Sequence, residues 1–214
     1  MRTIILASNN EHKVKEISDK VKEYSIKVIP QSEAGYDIEV EETGKTFIEN
    51  AILKAESIYK FSGMPVIADD SGLEIDKLNG EPGVYTKRYA GPNATDKDKI
   101  EKVLSLLKDT EDSQRTARFK CAICYIDKKG EKHIFEESCE GKITHKPCGT
   151  DGFAYDPIFL YDTRTFAQMS TDEKNKVSHR GKAISKLIEY LKTEKEKLIV
   201  ENTLSDEEQG ELYF

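Results

Sequence analysis

The sequence has no apolar run long enough to cross a membrane. Its N-terminal stretch, Ile4-Ile5-Leu6-Ala7, turns polar after four residues, whereas a helical span needs about 20. A secretory leader would also need a longer apolar core, so the expected setting is the cytoplasm. Positive charge is in deficit too. Lysine and arginine number 33 against 40 aspartates and glutamates, a formal net charge of −7. That argues against nucleic acid or an anionic membrane held by bulk charge. Any phosphate-bearing ligand must be gripped by local cations or a metal. Cysteine is scarce: Cys121, Cys124, Cys139 and Cys148. The first two form a C-x-x-C, a spacing used by zinc and redox sites, but they sit in a strand-like run, Ala117–Tyr125. Residues three apart on a strand face opposite ways and cannot chelate one ion. Buried, reduced thiols are expected. Internal repeats and low-complexity blocks are absent, and 214 residues suffice for a sizeable core.

Against this background one stretch stands out, Val66-Ile67-Ala68-Asp69-Asp70-Ser71-Gly72. The apolar start reads as a buried strand that ends in two carboxylates, a hydroxyl and a glycine. Two adjacent acids there repel each other and are partly desolvated. A divalent cation such as Mg²⁺ would relieve both, since it takes one or two carboxylates plus phosphate and water. Strand ends in open α/β sheets are also where ligands gather. An acidic turn closed by Gly72 is the alternative, and the stretch by itself does not choose.

Upstream, Thr3–Ala7 predicts a first strand, buried on both faces. The polar loop Ser8-Asn9-Asn10-Glu11-His12-Lys13 follows, then a helix with Val14, Ile17, Val21 and Tyr24 inward. Such a loop aims free N–H groups at an anion; plain capping by Ser8 or Asn10 is the alternative. Lys13 in the first turn favours the anion, because a cation there opposes the helix dipole. A short strand near 26–29 comes next. Gly44-Lys45-Thr46 imitates the end of a P-loop, but Glu39 stands where that motif needs glycine, and Glu41-Glu42 would repel phosphate. Thr46 with Glu49 instead predicts a capping box for a helix carrying Phe47, Ile48, Ala51, Ile52, Ala55, Ile58 and Tyr59, stopped at Gly63. Lys54 falls mid-helix, where a solvated lysine is the ordinary expectation.

Beyond the paired acids, Leu73–Ile75 continues as a strand or hairpin arm, and Asn79–Gly83 is a turn. Thr95 caps a helix with Ile100, Val103, Leu104 and Leu107 inward. Strands near 116–126 and 132–139 form a hairpin. In Gly149–Phe159, glycines beside exposed aromatics suit a flat ligand. A short helix over 171–176 leads to Ser178, which caps a last helix with Ile184, Leu187, Ile188 and Leu191 inward. The chain is expected to form a single unit over 1–192, with a charged extension over 193–214.

Five stretches in this order resemble the inosine/xanthosine triphosphate pyrophosphatase family: Ser8–Lys13, Glu41–Ala51, Ala68–Leu73, Gly152–Phe159 and Ser178–Gly181. Two departures are Ser8-Asn9, where many members have Thr-Gly, and Ala154, where many have Gly. The resemblance implies an α/β fold with an elongated mixed central sheet flanked by helices. It also implies two lobes with an active-site cleft between them, and a homodimer. The implied reaction splits a non-standard purine nucleoside triphosphate (ITP, dITP or XTP) into monophosphate and pyrophosphate with Mg²⁺. It makes Asp70 the general base and a metal ligand, Glu42 the second ligand, and Asp69 an assistant. Residues implied to contact the substrate include Ser8, Asn9, Asn10, Glu11, His12, Lys13, Lys54 and Ser71, with Ser8, Asn10, Lys13, Lys54 and Ser71 on phosphate. His179 and Arg180 would donate to the 6-keto oxygen, Phe153 would stack on the base, and Ala154, Tyr155, Asp156 and Lys174 would line the pocket. Two other readings are a pyrophosphatase of different nucleotide preference and a nucleotide sensor without turnover.

Overall fold

The computed structural model describes residues 2–193. In chain order the elements are β1 (Arg2–Leu6), α1 (Glu11–Val21), β2 (Ile26–Pro30), α2 (Phe47–Ser62), β3 (Val66–Ile75), α3 (Asp96–Leu106), β4 (Thr116–Ile126), β5 (Lys132–Ile143), β6 (Phe159–Tyr161), β7 (Arg164–Thr165) and α4 (Thr171–Val177). A last helix, α5, covers 179–193. The charged extension expected over 193–214 lies, apart from Thr193, outside the described residues. Among the described residues no helix is long and apolar enough to cross a membrane.

One seven-stranded mixed sheet, ordered β2-β1-β3-β4-β5-β6-β7, runs through the molecule. β1 pairs in parallel with β2 and β3, and every pairing from β3 to β7 is antiparallel. The α/β class is therefore borne out. The seam between the parallel and antiparallel parts is β3. It meets β1 only at Val66 and Ile67, yet pairs with β4 along all ten residues to Ile75.

Three apolar clusters pack on this sheet. The period of two sends Ile67, Cys121, Ile123 and Tyr125 to one face, under α1 and α5. Val66, Ala68, Ala122 and Cys124 go to the other face, under α2. Farther along the first face, Leu73, Ile75, Ala117 and Phe119 pack with α3 and the β6–β7 region. Each fully buried Ile or Leu contributes about 1.5–3 kcal/mol relative to exposure.

Most expected elements form where their signals lie. Thr95 and Asp98 make a reciprocal capping box, and Ser178 Oγ accepts from Gly181 N–H at the start of α5. Three expectations are corrected. The strand does not end at Asp69-Asp70 but continues through them as β3, because β4 supplies a partner at every position. Glu49 does not close its box on Thr46: Thr46 accepts from Glu49 N–H, while the Glu49 carboxylate accepts from Lys45 N–H at 2.6 Å. Tyr24 is not inward; it lies past the end of α1 in a 3₁₀ turn and is exposed.

Cys121 and Cys124 are buried on opposite faces of the sheet, as strand geometry requires. Burial pushes both thiols up to about 12 and Cys139 to about 11. The native protein should therefore offer a thiol reagent no more than the half-buried Cys148, with all four reacting after unfolding. Two or more fast thiols in a native titration would contradict this packing.

Candidate active site

Where β1 ends, Ala7 N–H donates to the Ile67 carbonyl, and beyond that point the β1 side of β3 has no strand. The next residues are Asp69 and Asp70. Neighbours on a strand point to opposite faces, so the two acids do not share one site. Each has its own set of partners.

Asp69 faces α1 and α5 and is fully buried. Its Oδ2 meets Lys13 Nζ at 3.0 Å and Arg180 Nε at 3.2 Å. Burial alone would raise its pKa, but Lys13, then Arg180 and Lys54, outweigh this and hold the carboxyl well below the usual range. Arg180 is spent in three directions: Asp69, Glu16 Oε2 at 2.6 Å and Ser71 Oγ at 2.7 Å. Glu16 also lies 3.5 Å from Lys174 Nζ, which bonds Asp156 Oδ2 at 2.7 Å. A chain of alternating charge thus runs from the phosphate-type loop to the 150s loop. Its members are Lys13, Asp69, Arg180, Glu16, Lys174 and Asp156. Lys13 and Arg180, both near helix N-termini where cations are disfavoured, find their anions inside the protein.

Asp70 faces α2. Lys54 Nζ bonds its Oδ1 at 2.8 Å and Glu42 Oε1 at 3.0 Å, and Asn50 Nδ2 donates to its Oδ2 at 3.2 Å. Asn50 and Lys54 lie one turn apart on α2 and therefore share a face. Lys54 is not solvated: its side chain is 12% exposed. Burial lowers its pKa, but Asp70, Asp69 and Glu42 more than compensate and keep the ammonium charged. Burial dominates at Asp70, and with the Glu42 charge it raises the pKa despite Lys54. The pKa values of the two neighbouring carboxyls are thus driven in opposite directions.

The remaining expected residues divide between these sets and their rim. Asn10 caps α1 by accepting from Lys13 N–H, and Ser8 Oγ accepts from Asn10 N–H. Asn9 Oδ1 accepts from Ser32 N–H, tying the loop to the segment after β2. Glu11 is exposed in the first turn. His12 stacks on Phe153 with centroids 5.0 Å apart. Tyr155 is wholly buried in the apolar cluster beside α3, its hydroxyl donating to the Thr86 carbonyl. His179 is buried and stacks on Phe119 at 4.7 Å. Burial, then Arg180 and Lys174, push its pKa well down, so the ring is neutral. Its Nδ1 and Asp69 Oδ1 are the buried side-chain polar atoms without a hydrogen-bond partner among the described residues.

Glu16, Asn50 and Arg88 were not singled out by sequence reasoning. Arg88 lies 3.6 Å from Glu42 Oε2. Glu16 sits beside the inward Ile17, and Asn50 is spaced with Phe47 and Lys54, so inward position was the available signal for both. Among the described residues, one trio with closely spaced metal-type ligand atoms is Asp127, Glu131 and His133. It lies at the β4–β5 turn, where Asp127 Oδ1 already accepts from Lys129 and Glu131 N–H.

The 150s loop is held by short bonds: Phe153 N–H to Asp156 Oδ2 and Ala154 N–H to Asp96 Oδ2, both 2.8 Å. Ala154 adopts φ +53°, a left-handed conformation that costs a residue with a Cβ about 1–2 kcal/mol. Part of the gain from glycine is lost to the freer unfolded chain. Ala154→Gly should therefore stabilise the protein by about 0.5–1 kcal/mol in urea unfolding. A destabilised variant would contradict the strain.

The Ham1 family profile matches residues 4–190. The chain is 48% identical over 200 residues to the dITP/XTP pyrophosphatase of Clostridium perfringens, covering 90% of this chain and 98% of that one. It is also 48% identical over 193 residues to the dITP/XTP pyrophosphatase of Bacillus subtilis, covering 89% and 98%. A solved HAM1 protein structure from Coxiella burnetii superposes with a TM-score of 0.83 at 44% identity, over 90% of this chain and all of that one. These matches bear out the resemblance drawn from the five stretches. Matched almost end to end in both sequence and fold, the chain belongs to the Ham1 family.

Proposed function

We propose that this protein hydrolyses non-standard purine nucleoside triphosphates (dITP, ITP and XTP) to the monophosphate and pyrophosphate, clearing them from the nucleotide pool. The observation that carries the reading is the division across β3. A proton-accepting carboxylate with a paired lysine lies on one face. A buried polar network ending at an aromatic plate lies on the other.

Asp70 is the general base of this reading. Its raised pKa makes it a better acceptor than an ordinary aspartate for the proton of a water attacking the α-phosphorus. Lys54 and Asn50 hold it in place. Lys13, Lys54, Ser8, Asn10 and Ser71 serve the phosphates, with Lys13 and Lys54 exchanging carboxylate partners for phosphate oxygens. Glu42 and Asp70 fit Mg²⁺, because their hard oxygens already converge on one cation, the Lys54 ammonium. Bound there, the ion would neutralise phosphate charge and polarise the reacting phosphoryl group.

Base choice falls to the other face. Phe153 is the stacking plate, with Asp156 and Lys174 beside it. Of the two donors considered for the 6-keto oxygen, Arg180 has its nitrogens bonded to Asp69, Glu16 and Ser71. The His179 ring has no hydrogen-bond partner among the described residues, its Nδ1 lying buried. We assign the discrimination to His179: a purine with a 6-keto oxygen satisfies it as a donor, and the amino group of adenine does not. Guanine shares the keto group, so its rejection acts at the 2-amino position. The proposal includes a cytoplasmic homodimer of two-lobed chains, with the site in the cleft.

Pyrophosphate release should be fast from dITP, ITP and XTP with Mg²⁺, absent with chelator, and at least about 100-fold slower from GTP and ATP. Equal rates on all five would discard the base pocket. No release from any would leave a nucleotide-binding protein without turnover.

A further inference from the structure

Phe153 presents no bare plate in this structure. His12 lies parallel to its ring, with centroids 5.0 Å apart and planes inclined by 12°. The Lys174 ammonium stands over the same ring at 4.7 Å, and the Arg180 guanidinium carbon is 5.8 Å from its centroid. The protein itself therefore crowds Phe153 with one stacked ring and two cations.

The two covers differ in how firmly they are held. Lys174 is buried and tied to Asp156 and Glu16; moving it would strand buried carboxylates, which is costly. The backbone that carries Phe153 is fixed, since its own N–H and that of Ala154 are bonded to Asp156 and Asp96. His12 is exposed in the first turn of α1, and no side-chain hydrogen bond fixes its ring among the described residues. Its stacking on Phe153 is what holds it. The imidazole joins the phosphate-type loop to the 150s loop.

We propose that His12 is a displaceable cap: it occupies the stacking face of Phe153 in the free protein, and the purine base takes its place. This inference rests on the reading of Phe153 as the base plate. Every nucleotide then binds by exchanging one stacked ring for another. A purine, larger than imidazole, wins that exchange, whereas a ligand without a base leaves the cap closed. The cap thus lowers affinity for every base by the same factor and leaves the choice between bases to the other contacts.

The test compares wild type, His12→Ala, His12→Phe and Phe153→Ala in the full-length protein. Calorimetry would measure affinity for inosine monophosphate and for inorganic tripolyphosphate, and steady-state kinetics would use dITP. Removal of the cap should tighten inosine monophosphate binding about two- to tenfold, with the gain in kcat/KM for dITP carried by KM. His12→Phe, which keeps a stacking ring, should restore wild-type or weaker affinity. Tripolyphosphate affinity should not move in either His12 variant. If Phe153→Ala leaves inosine monophosphate affinity unchanged, the base-plate reading falls and the cap with it. If Phe153→Ala weakens binding but His12→Ala weakens it too, His12 clasps the bound base and the cap is wrong. Unchanged affinity in His12→Ala, or a shift for tripolyphosphate as well, also overturns it.

Discussion

A strand turns successive side chains to opposite faces, and in β3 that period separates two carboxylates adjacent in the chain. Their separation is possible because β3 outruns β1. Past Ile67 one side of β3 has no partner strand, only an isolated bridge from Glu74 to Pro82, while β4 keeps the other in register through Ile75. The acids therefore sit in extended backbone held by β4, just past the end of a parallel strand. This is the kind of junction where open α/β sheets place their ligands.

The separation gives the acids unlike environments. Asp69 receives two cations and is stabilised as an anion; through Arg180 and Glu16 it ties α1, α4 and α5 to the sheet. Asp70 has one ammonium, shared with a second carboxylate, and burial governs it. A pair of titratable groups with pKa values driven apart is the arrangement that assigns fixed and proton-accepting roles. The proposed chemistry needs both: an immobile frame for Lys174 and Arg180, and a carboxylate that accepts a proton.

The sequence carried the fold class and most of the elements, because those signals are local. Thr46, Thr95 and Ser178 announced their helices, and the period of two placed Cys121 and Cys124 on opposite faces. The same period, applied to Asp69 and Asp70, would have separated them as well. Reading the strand as ending there hid it, since β4, which prolongs the strand, lies some 50 residues downstream. Lys54 read as a solvated lysine and Glu16 was not singled out, because their partners are not local: Arg180 is 164 residues from Glu16 and 111 from Asp69. The resemblance brought together the motif residues on both faces of β3, but Glu16 and Arg88, outside its five stretches, were found through their ion pairs.

The most direct test changes the two carboxylates separately, as Asp69→Asn and Asp70→Asn. It measures unfolding free energy without divalent cation and turnover of dITP with it. An acid whose folded pKa is lowered stabilises the fold above its ordinary pKa and loses that contribution as pH falls through the folded value. Asp69 is of this kind. One whose folded pKa is raised favours the protonated fold, so ionised Asp70 costs stability at neutral pH. Asp69→Asn should therefore lose about 3–5 kcal/mol, leaving Arg180 under-compensated. Asp70→Asn should lose less than Asp69→Asn, since Glu42 still pairs Lys54, and should be without turnover. Equal destabilisation by both, or near-normal turnover in Asp70→Asn, would contradict the division of roles across β3.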